Sequence, residues 1–154
     1  MTFHEEKAKE LFFEGCNCSQ AVFAAFSDIT GVDKKTSLKM SSGFGAGFGR
    51  TRQTCGAVCG MTLAASCLFG YDDIKDPSAK TENYILISSL INSFKEEMGS
   101  SVCRELLGLK QYEYSPVAQE RNADFYKTRP CLRCVMTAAR ILDTKIDELK
   151  SDGV

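Results

Sequence analysis

Residues 55–70 read CGAVCGMTLAASCLFG, and this run contains no charged side chain. Small and apolar residues fall on every side of a helix with 3.6 residues per turn, which is typical of a helix that is buried all round. Gly70 ends the run, as glycine commonly does after a helix. The stretch therefore predicts a central, buried helix around which the rest of the chain packs.

On both sides of this run, apolar residues recur at intervals of three and four, the spacing of amphipathic helices, and nowhere convincingly at the interval of two that marks a strand. We predict an all-α fold: a single domain over residues 1–154, built as a bundle of about five to seven helices with a glycine-rich loop. Asp33 is the expected cap of a short helix, with Leu38 and Met40 as buried candidates. The expected helices cover residues 3–13, 18–31, 33–41, 55–69, 78–98, 102–107, 116–127 and 130–149.

The charge and the histidine content argue against several classes of function. A formal net charge of −1 gives no electrostatic argument for nucleic-acid binding. His4 is the one histidine, and we expect it to lie in a mobile N-terminal segment. Metal sites built on histidine and Ser–His or Cys–His catalysis are therefore not expected.

The N-terminal 15 residues are charged and lack the apolar core of a signal peptide. No apolar run approaches the roughly 18 residues that span a bilayer. We therefore expect a cytoplasmic protein without a membrane span. The chain has eight cysteines, and in a reducing compartment such a group indicates metal or redox chemistry more than a disulfide scaffold.

Four of the cysteines closely follow residues that start helices. A thiol in the first turn of a helix faces unpaired backbone N–H groups and the positive end of the helix dipole, which favours the thiolate. We predict that these four thiols share one metal or redox site. They are Cys18 after Asn17, Cys55 after Thr54, Cys103 after Ser101, and Cys131 after Pro130.

The other cysteines have weaker patterns. Cys67 is expected to be a small buried apolar residue, and Cys16 and Cys59 stay open between packing and ligation. Cys134 lies on the apolar stripe of the last helix but also completes a C-x-x-C with Cys131. This pair predicts thiol–disulfide catalysis if the protein carries no metal.

The segment GFGAGFGR, residues 43–50, resembles a phosphate loop but lacks both the third glycine of G-x-G-x-x-G and a G-K-[ST] ending. One interpretation is that its glycines let the backbone pass close to neighbouring helices, with Phe44 and Phe48 packed inward. A compatible interpretation is that its N–H groups form a nest for an anion or a cluster sulfur. The predicted cofactor-binding residues are Gly45, Gly47, Gly49, Arg50 and Arg52.

Several motifs together resemble one family. Residues 55–60, CGAVCG, fit a CGAxxG motif, and residues 15–22 read G-x-N-C-x-Q-A-V. Downstream, Cys103 is followed by Leu-Leu-Gly at 106–108, and Cys131 is followed by Val135 and by Ala-Ala at 138–139. In order and spacing, the chain resembles the C_GCAxxG_C_C family of redox-active proteins from about residue 8 to 148.

This resemblance implies a small, mostly helical protein with four characteristic cysteines, which correspond to Cys18, Cys55, Cys103 and Cys131. The family is also similar to the non-haem portion of split-Soret-type cytochromes, which implies iron–sulfur chemistry and dimers. Because Val135 follows Cys134, the chain lacks a C-x-x-C-H motif, and covalent haem is not expected.

We expect an iron–sulfur or related metal centre held by the four thiolates in an electron-transfer protein or oxidoreductase. The partner would be an unidentified redox protein or substrate, and the amphipathic last helix could serve a homodimer. One alternative is a metal-free thiol–disulfide oxidoreductase or redox sensor. Another is a helical protein that holds a structural zinc ion.

Overall fold

The computed structural model describes residues 1–153 of the chain. Within them the fold is all-α, as predicted, with one isolated bridge between Thr54 and Val102. The helices are α1 (Phe3–Phe13), α2 (Cys18–Ala25), α3 (Ser27–Thr30), α4 (Lys34–Ser41), α5 (Gly45–Phe48), α6 (Gly56–Phe69), α7 (Pro77–Met98), α8 (Cys103–Leu106), α9 (Ala123–Thr128) and α10 (Cys131–Ser151).

The central helix is α6, as the apolar run predicts. It packs against α2, α7 and α10, and Ala57, Met61, Ala64 and Ala65 are fully buried. Small residues on α6 let its neighbours approach closely. A Cβ on Gly60 would lie 2.6 Å from the carbonyl oxygen of Ser19 in α2, so glycine is required where these helices meet.

Helices α1, α2 and α10 complete the core around α6. Both α2 and α10 contact α1 and each other. The apolar stripe of α10 includes Val135, Ala138 and Leu142, all fully buried. The last helix therefore forms part of the core within this chain.

Three details differ from the sequence expectations. The helix expected over 18–31 breaks at Phe26, whose backbone leaves helical geometry (φ −94°, ψ 13°) between α2 and α3. The helix expected from Ser115 begins instead after Asn122, whose side chain accepts a hydrogen bond from the Phe125 amide at 2.9 Å. Met40 was expected to be buried and is exposed, because it lies on the solvent side of α4.

The expectation of a mobile N-terminus is wrong. The Thr2 side chain caps α1, with Glu5 completing the capping box. His4 is buried, stacks on Phe26 at a centroid distance of 4.1 Å, and bonds Asp143 of α10 through Nδ1 at 2.5 Å. The N-terminus is therefore tied to both α2 and α10.

The His4 site couples stability to pH. Burial alone would lower the pKa of His4, but hydrogen bonds and charges from Asp143 and Asp28 raise it above the usual 6.5. The same contact lowers the pKa of Asp143 despite its burial.

Within residues 1–153, none of the helices is both long enough and apolar enough to cross a membrane.

We predict that His4→Gln lowers the free energy of unfolding by about 2 kcal/mol at pH 6, because a hydrogen bond between charged groups is lost. A raised pKa means that the protonated histidine stabilises the fold fully below pH 6.5 and less as the pH rises through its folded value. The penalty should therefore shrink between pH 6 and pH 8. Urea denaturation of the unsubstituted protein and of His4→Gln, under reducing conditions at both pH values, measures the difference in their free energies of unfolding. A difference that does not change with pH would contradict the prediction.

Candidate metal or redox site

Two loop segments bring Cys55 and Cys103 side by side. The amide of Cys55 donates to the carbonyl of Ser101 at 2.8 Å, and the amide of Cys103 donates to that of Gln53 at 2.6 Å. These bonds flank the bridge between Thr54 and Val102. The short pairing therefore fixes two cysteines that are far apart in sequence at adjacent positions.

Cys18 reaches the same place from α2. Asn17 caps this helix in a full capping box with Gln20. A Cβ on Gly56 would lie 2.3 Å from the Sγ of Cys18, so the thiol occupies the space that any larger residue at the start of α6 would fill. Glycine at 56 is thus what allows Cys18 to lie against the segment that holds Cys55.

Cys131 enters as the first residue of α10, with Pro130 at the N-cap position. Three of the four helix starts differ by a residue from the sequence expectation: Cys55 is itself the N-cap of α6, Val102 takes the N-cap position of α8, and Pro130 precedes α10. The four thiols nevertheless all lie at the beginning of a helix.

These four cysteines share a small cavity of about 30 Å³. Its lining also includes Cys134, one turn along α10 from Cys131. Neither Cys16, Cys59 nor Cys67 lines it. We call this the thiol cavity; its five cysteines are Cys18, Cys55, Cys103, Cys131 and Cys134.

The remaining cysteines lie outside the thiol cavity. Cys59 is buried on α6, and burial together with the nearby Cys55 raises the pKa of its thiol to about 12. Cys67, which we expected to be buried, is exposed near the end of α6. The reason is position: α6 leaves the core over its last turn, where Ser66 and Gly70 are also exposed.

Burial outweighs the helix N-termini in setting the acidity of the thiols. It raises the pKa of Cys18 and of Cys131 to about 12, with added repulsion from neighbouring thiolates. Hydrogen bonding with Cys134, followed by burial, raises the pKa of Cys55 well above its usual value. The expectation that the helix starts lower the pKa of these thiols is therefore wrong, because burial raises the pKa of Cys18, Cys55, Cys103 and Cys131.

Donors nevertheless surround the sulfur atoms. The amides of Ala46 and Ser19 favour the thiolate of Cys18, and those of Ala57 and Val58 favour that of Cys55. The guanidinium of Arg52 donates to the Sγ of Cys103 at 3.7 Å and lowers its pKa, although burial still raises it overall. Such N–H···S contacts tune the electronic properties of metal-bound thiolates.

The glycine-rich segment is a strained turn, and the short element α5 within it is not a regular right-handed helix, because Ala46 and Gly47 have non-helical backbone angles. Every residue from 46 to 50 has a positive φ, including Ala46 (55°), Phe48 (66°) and Arg50 (69°), and Arg52 follows at 61°. For residues with a Cβ, this conformation costs roughly 1–3 kcal/mol each, and such strain clusters at functional sites. The sequence gives no signal of it, because only the glycines predict positive φ.

The predicted cofactor-binding residues divide between two places. Gly45, Gly49, Arg50 and Arg52 line a second, larger cavity. Gly47 instead packs beside Cys103, since a Cβ there would lie 2.7 Å from the Cβ of that cysteine. Phe48 was expected to pack inward, but it is exposed. Its ring packs against that of Phe44, with the two ring centroids 5.1 Å apart.

The thiol cavity has the donor chemistry of a site for a soft metal. In residues 1–153, however, no three His, Cys, Asp or Glu side chains already stand close enough together to hold a metal ion. The thiols surround the cavity without converging on one point. Ligation of one metal ion by three or four of them therefore requires their sulfur atoms to move closer together.

A family model described as "Putative redox-active protein (C_GCAxxG_C_C)" matches residues 16–145. The chain belongs to this family. The match confirms the resemblance of the sequence motifs and covers all five cysteines of the thiol cavity. No curated protein and no solved structure matches the chain significantly.

Sequence reasoning left the place of Cys134 open. Cys134 lies near enough to Cys55 to raise the pKa of that thiol, and the residue is 2% exposed. The apolar stripe of α10 predicted the burial correctly. The C-x-x-C spacing was the available signal for the second role, because residues three apart on a helix lie on the same side.

We predict that Gly56→Ala destabilises the fold by about 1–3 kcal/mol, because the new methyl group must displace Cys18 or the adjoining backbone. It should also make Cys18 react faster with a thiol reagent. Gly43→Ala is the matched control, since a Cβ there meets nothing within 4 Å. Urea denaturation and thiol-modification rates measure both effects, and equal behaviour of the two variants would refute the packing argument.

Proposed function

We propose that this protein is an electron-transfer protein that binds an iron–sulfur cluster through Cys18, Cys55, Cys103 and Cys131. The observation that carries the proposal is the thiol cavity itself. Four thiols from four separate segments of a reduced chain line one small space. Thiolates are the usual ligands of iron–sulfur clusters, and membership of a redox-active family gives the class of chemistry.

The surroundings of the thiols support this choice. A bound cluster would supply one-electron exchange. Backbone amides around Cys18 and Cys55, and the guanidinium of Arg52 at Cys103, are positioned to stabilise negative charge on sulfur. Because the pKa values of these thiols are raised, metal binding would release protons and strengthen as the pH rises.

Anaerobic purification followed by iron, sulfide and visible-absorption measurements tests the proposal. We expect iron and acid-labile sulfide in the isolated or reconstituted protein, with sulfur-to-iron charge-transfer absorption. Cys18→Ser and Cys131→Ser should each lose most of the bound iron, since each removes a ligand. Cys67→Ser is the matched control, because Cys67 is exposed and lies outside the thiol cavity.

Two results would overturn the proposal. One is a colourless, iron-free protein after anaerobic reconstitution. The other is equal iron retention by Cys18→Ser, Cys131→Ser and Cys67→Ser. If the protein instead binds zinc tightly and no iron, and unfolds when a chelator removes the zinc, the cluster proposal is wrong and the site holds a structural zinc ion.

A specific contact favours a second function, metal-free thiol–disulfide exchange. Cys55 and Cys134 line the same thiol cavity, and Cys134 lies near enough to raise the pKa of the Cys55 thiol. In such a reaction the two thiols give two protons and two electrons to a disulfide of the partner, which becomes a dithiol, while Cys55 and Cys134 form a disulfide. The sequence suggested either Cys131 with Cys134 or two of the helix-start cysteines; the influence of Cys134 on the pKa of Cys55 favours Cys55 as its partner.

Under the second function, we predict a reversible Cys55–Cys134 disulfide in oxidised glutathione buffer. Mass mapping of alkylated peptides should detect it, and Cys134→Ser should abolish it whereas Cys67→Ser should not. Thiols that stay reduced in the metal-free protein across the glutathione range would refute thiol–disulfide exchange. That result would leave cluster binding intact, so the two functions are separable.

A further inference from the structure

A cavity of about 450 Å³ adjoins the thiol cavity. The two share Cys18, Ala46 and Cys131 in their walls. A volume of this size is in the range of small-molecule sites. We call it the arginine cavity, because four arginines line it: Arg50, Arg52, Arg121 and Arg129.

The positive charge of this cavity is not neutralised by the protein. Its lining contains no aspartate or glutamate. Within residues 1–153, none of its four arginines forms a salt bridge. Arg140 on α10, by comparison, pairs with Glu97. Four uncompensated cations around one concave space repel each other, and a bound anion would relieve that repulsion.

Neutral groups hold the arginines in place. The Nε of Arg50 donates to the carbonyl of Ser115 at 2.9 Å. Arg121 donates to the carbonyl of Cys16 at 2.9 Å and also to that of Phe12 at 3.3 Å. These bonds fix the guanidinium groups without cancelling their charge, and they leave further N–H donors free for a ligand.

Arg52 is the most unusual of the four. It is only 5% exposed, and its Nε has no hydrogen-bond partner although the atom is buried. Its backbone is held at a positive φ of 61°. A buried charged donor without a partner costs free energy in the empty protein. An acceptor brought into the cavity would recover part of that cost.

Part of the wall is aromatic. The guanidinium of Arg121 lies 4.4 Å from the ring centroid of Phe12 and 4.6 Å from that of Phe125. Both rings line the cavity together with Pro116. Stacking on aromatic faces orients a guanidinium and is compatible with bidentate binding of an oxyanion. The cavity thus joins an apolar wall to a cluster of fixed cations.

We propose that the arginine cavity binds a small organic anion that carries phosphate or carboxylate groups. The arginines take the oxyanion through charge-assisted hydrogen bonds, and the side formed by Phe125 and Pro116 takes the apolar part. Because Cys18 and Cys131 belong to both cavities, this ligand lies beside the thiols. The inference stands on the cavity alone and does not depend on which centre the thiols form.

Calorimetric titration of the full chain, as isolated, with phenyl phosphate and with phthalate tests the proposal. At least one of these dianions should bind one to one, with affinity that falls as salt is added. Preference for one probe identifies the oxyanion, and inorganic phosphate tests whether the apolar part contributes. Arg50→Gln and Arg129→Gln should each weaken binding by about tenfold to a hundredfold.

Arg140→Gln is the matched control, since it removes the same charge outside the cavity. It should change the affinity by less than about twofold. If the cavity variants fail to fold, amide shifts in the unsubstituted protein serve instead: Gly45 and Gly49 should move on titration, and Gly99 should not. Absence of binding by both dianions, or equal weakening by Arg140→Gln, would overturn the proposal whatever the iron content of the protein.

Discussion

The close approach of α2 to α6 is the constraint on which the rest of the structure depends. Two glycines one helical turn apart make it possible: Gly56 leaves room for the Sγ of Cys18, and Gly60 leaves room for the backbone of Ser19. A single contact line therefore sets both the core and the site. The missing side chain at Gly60 lets the backbone of α2 pack against α6, and the missing side chain at Gly56 leaves room for the thiol of Cys18.

Competition between burial and hydrogen bonding determines the state of the thiols. A rise in the pKa of Cys18 from 9.0 to about 12 corresponds to roughly 4 kcal/mol against the thiolate. A helix N-terminus contributes about 0.3–1 kcal/mol in its favour. The backbone donors alone therefore cannot ionise these thiols. A metal centre can, because it binds the sulfur directly, and this is the physical reason to prefer it over a free thiolate nucleophile.

The sequence predicts most of the fold because burial and capping act locally. Residues 55–69 predict the central helix by composition, and the cap at Asn17 predicts where α2 begins. The sequence does not predict the pairing of Cys55 with Ser101 or the shared cavity of Cys55 and Cys134, because both depend on how distant segments meet. The strained turn at Ala46 was also missed, since alanine ordinarily favours right-handed helix.

The arginine cavity shows how a net charge can conceal a local one. The chain carries a formal charge of −1, which by itself gives no reason to expect a general attraction to polyanions. Arg52 and Arg129 nevertheless both lower the pKa of the Cys103 thiol. A centre held by four thiolates gains negative charge when it is reduced. The same cations would therefore stabilise its reduced form and raise its reduction potential, so an anion that enters the cavity and screens them would lower that potential.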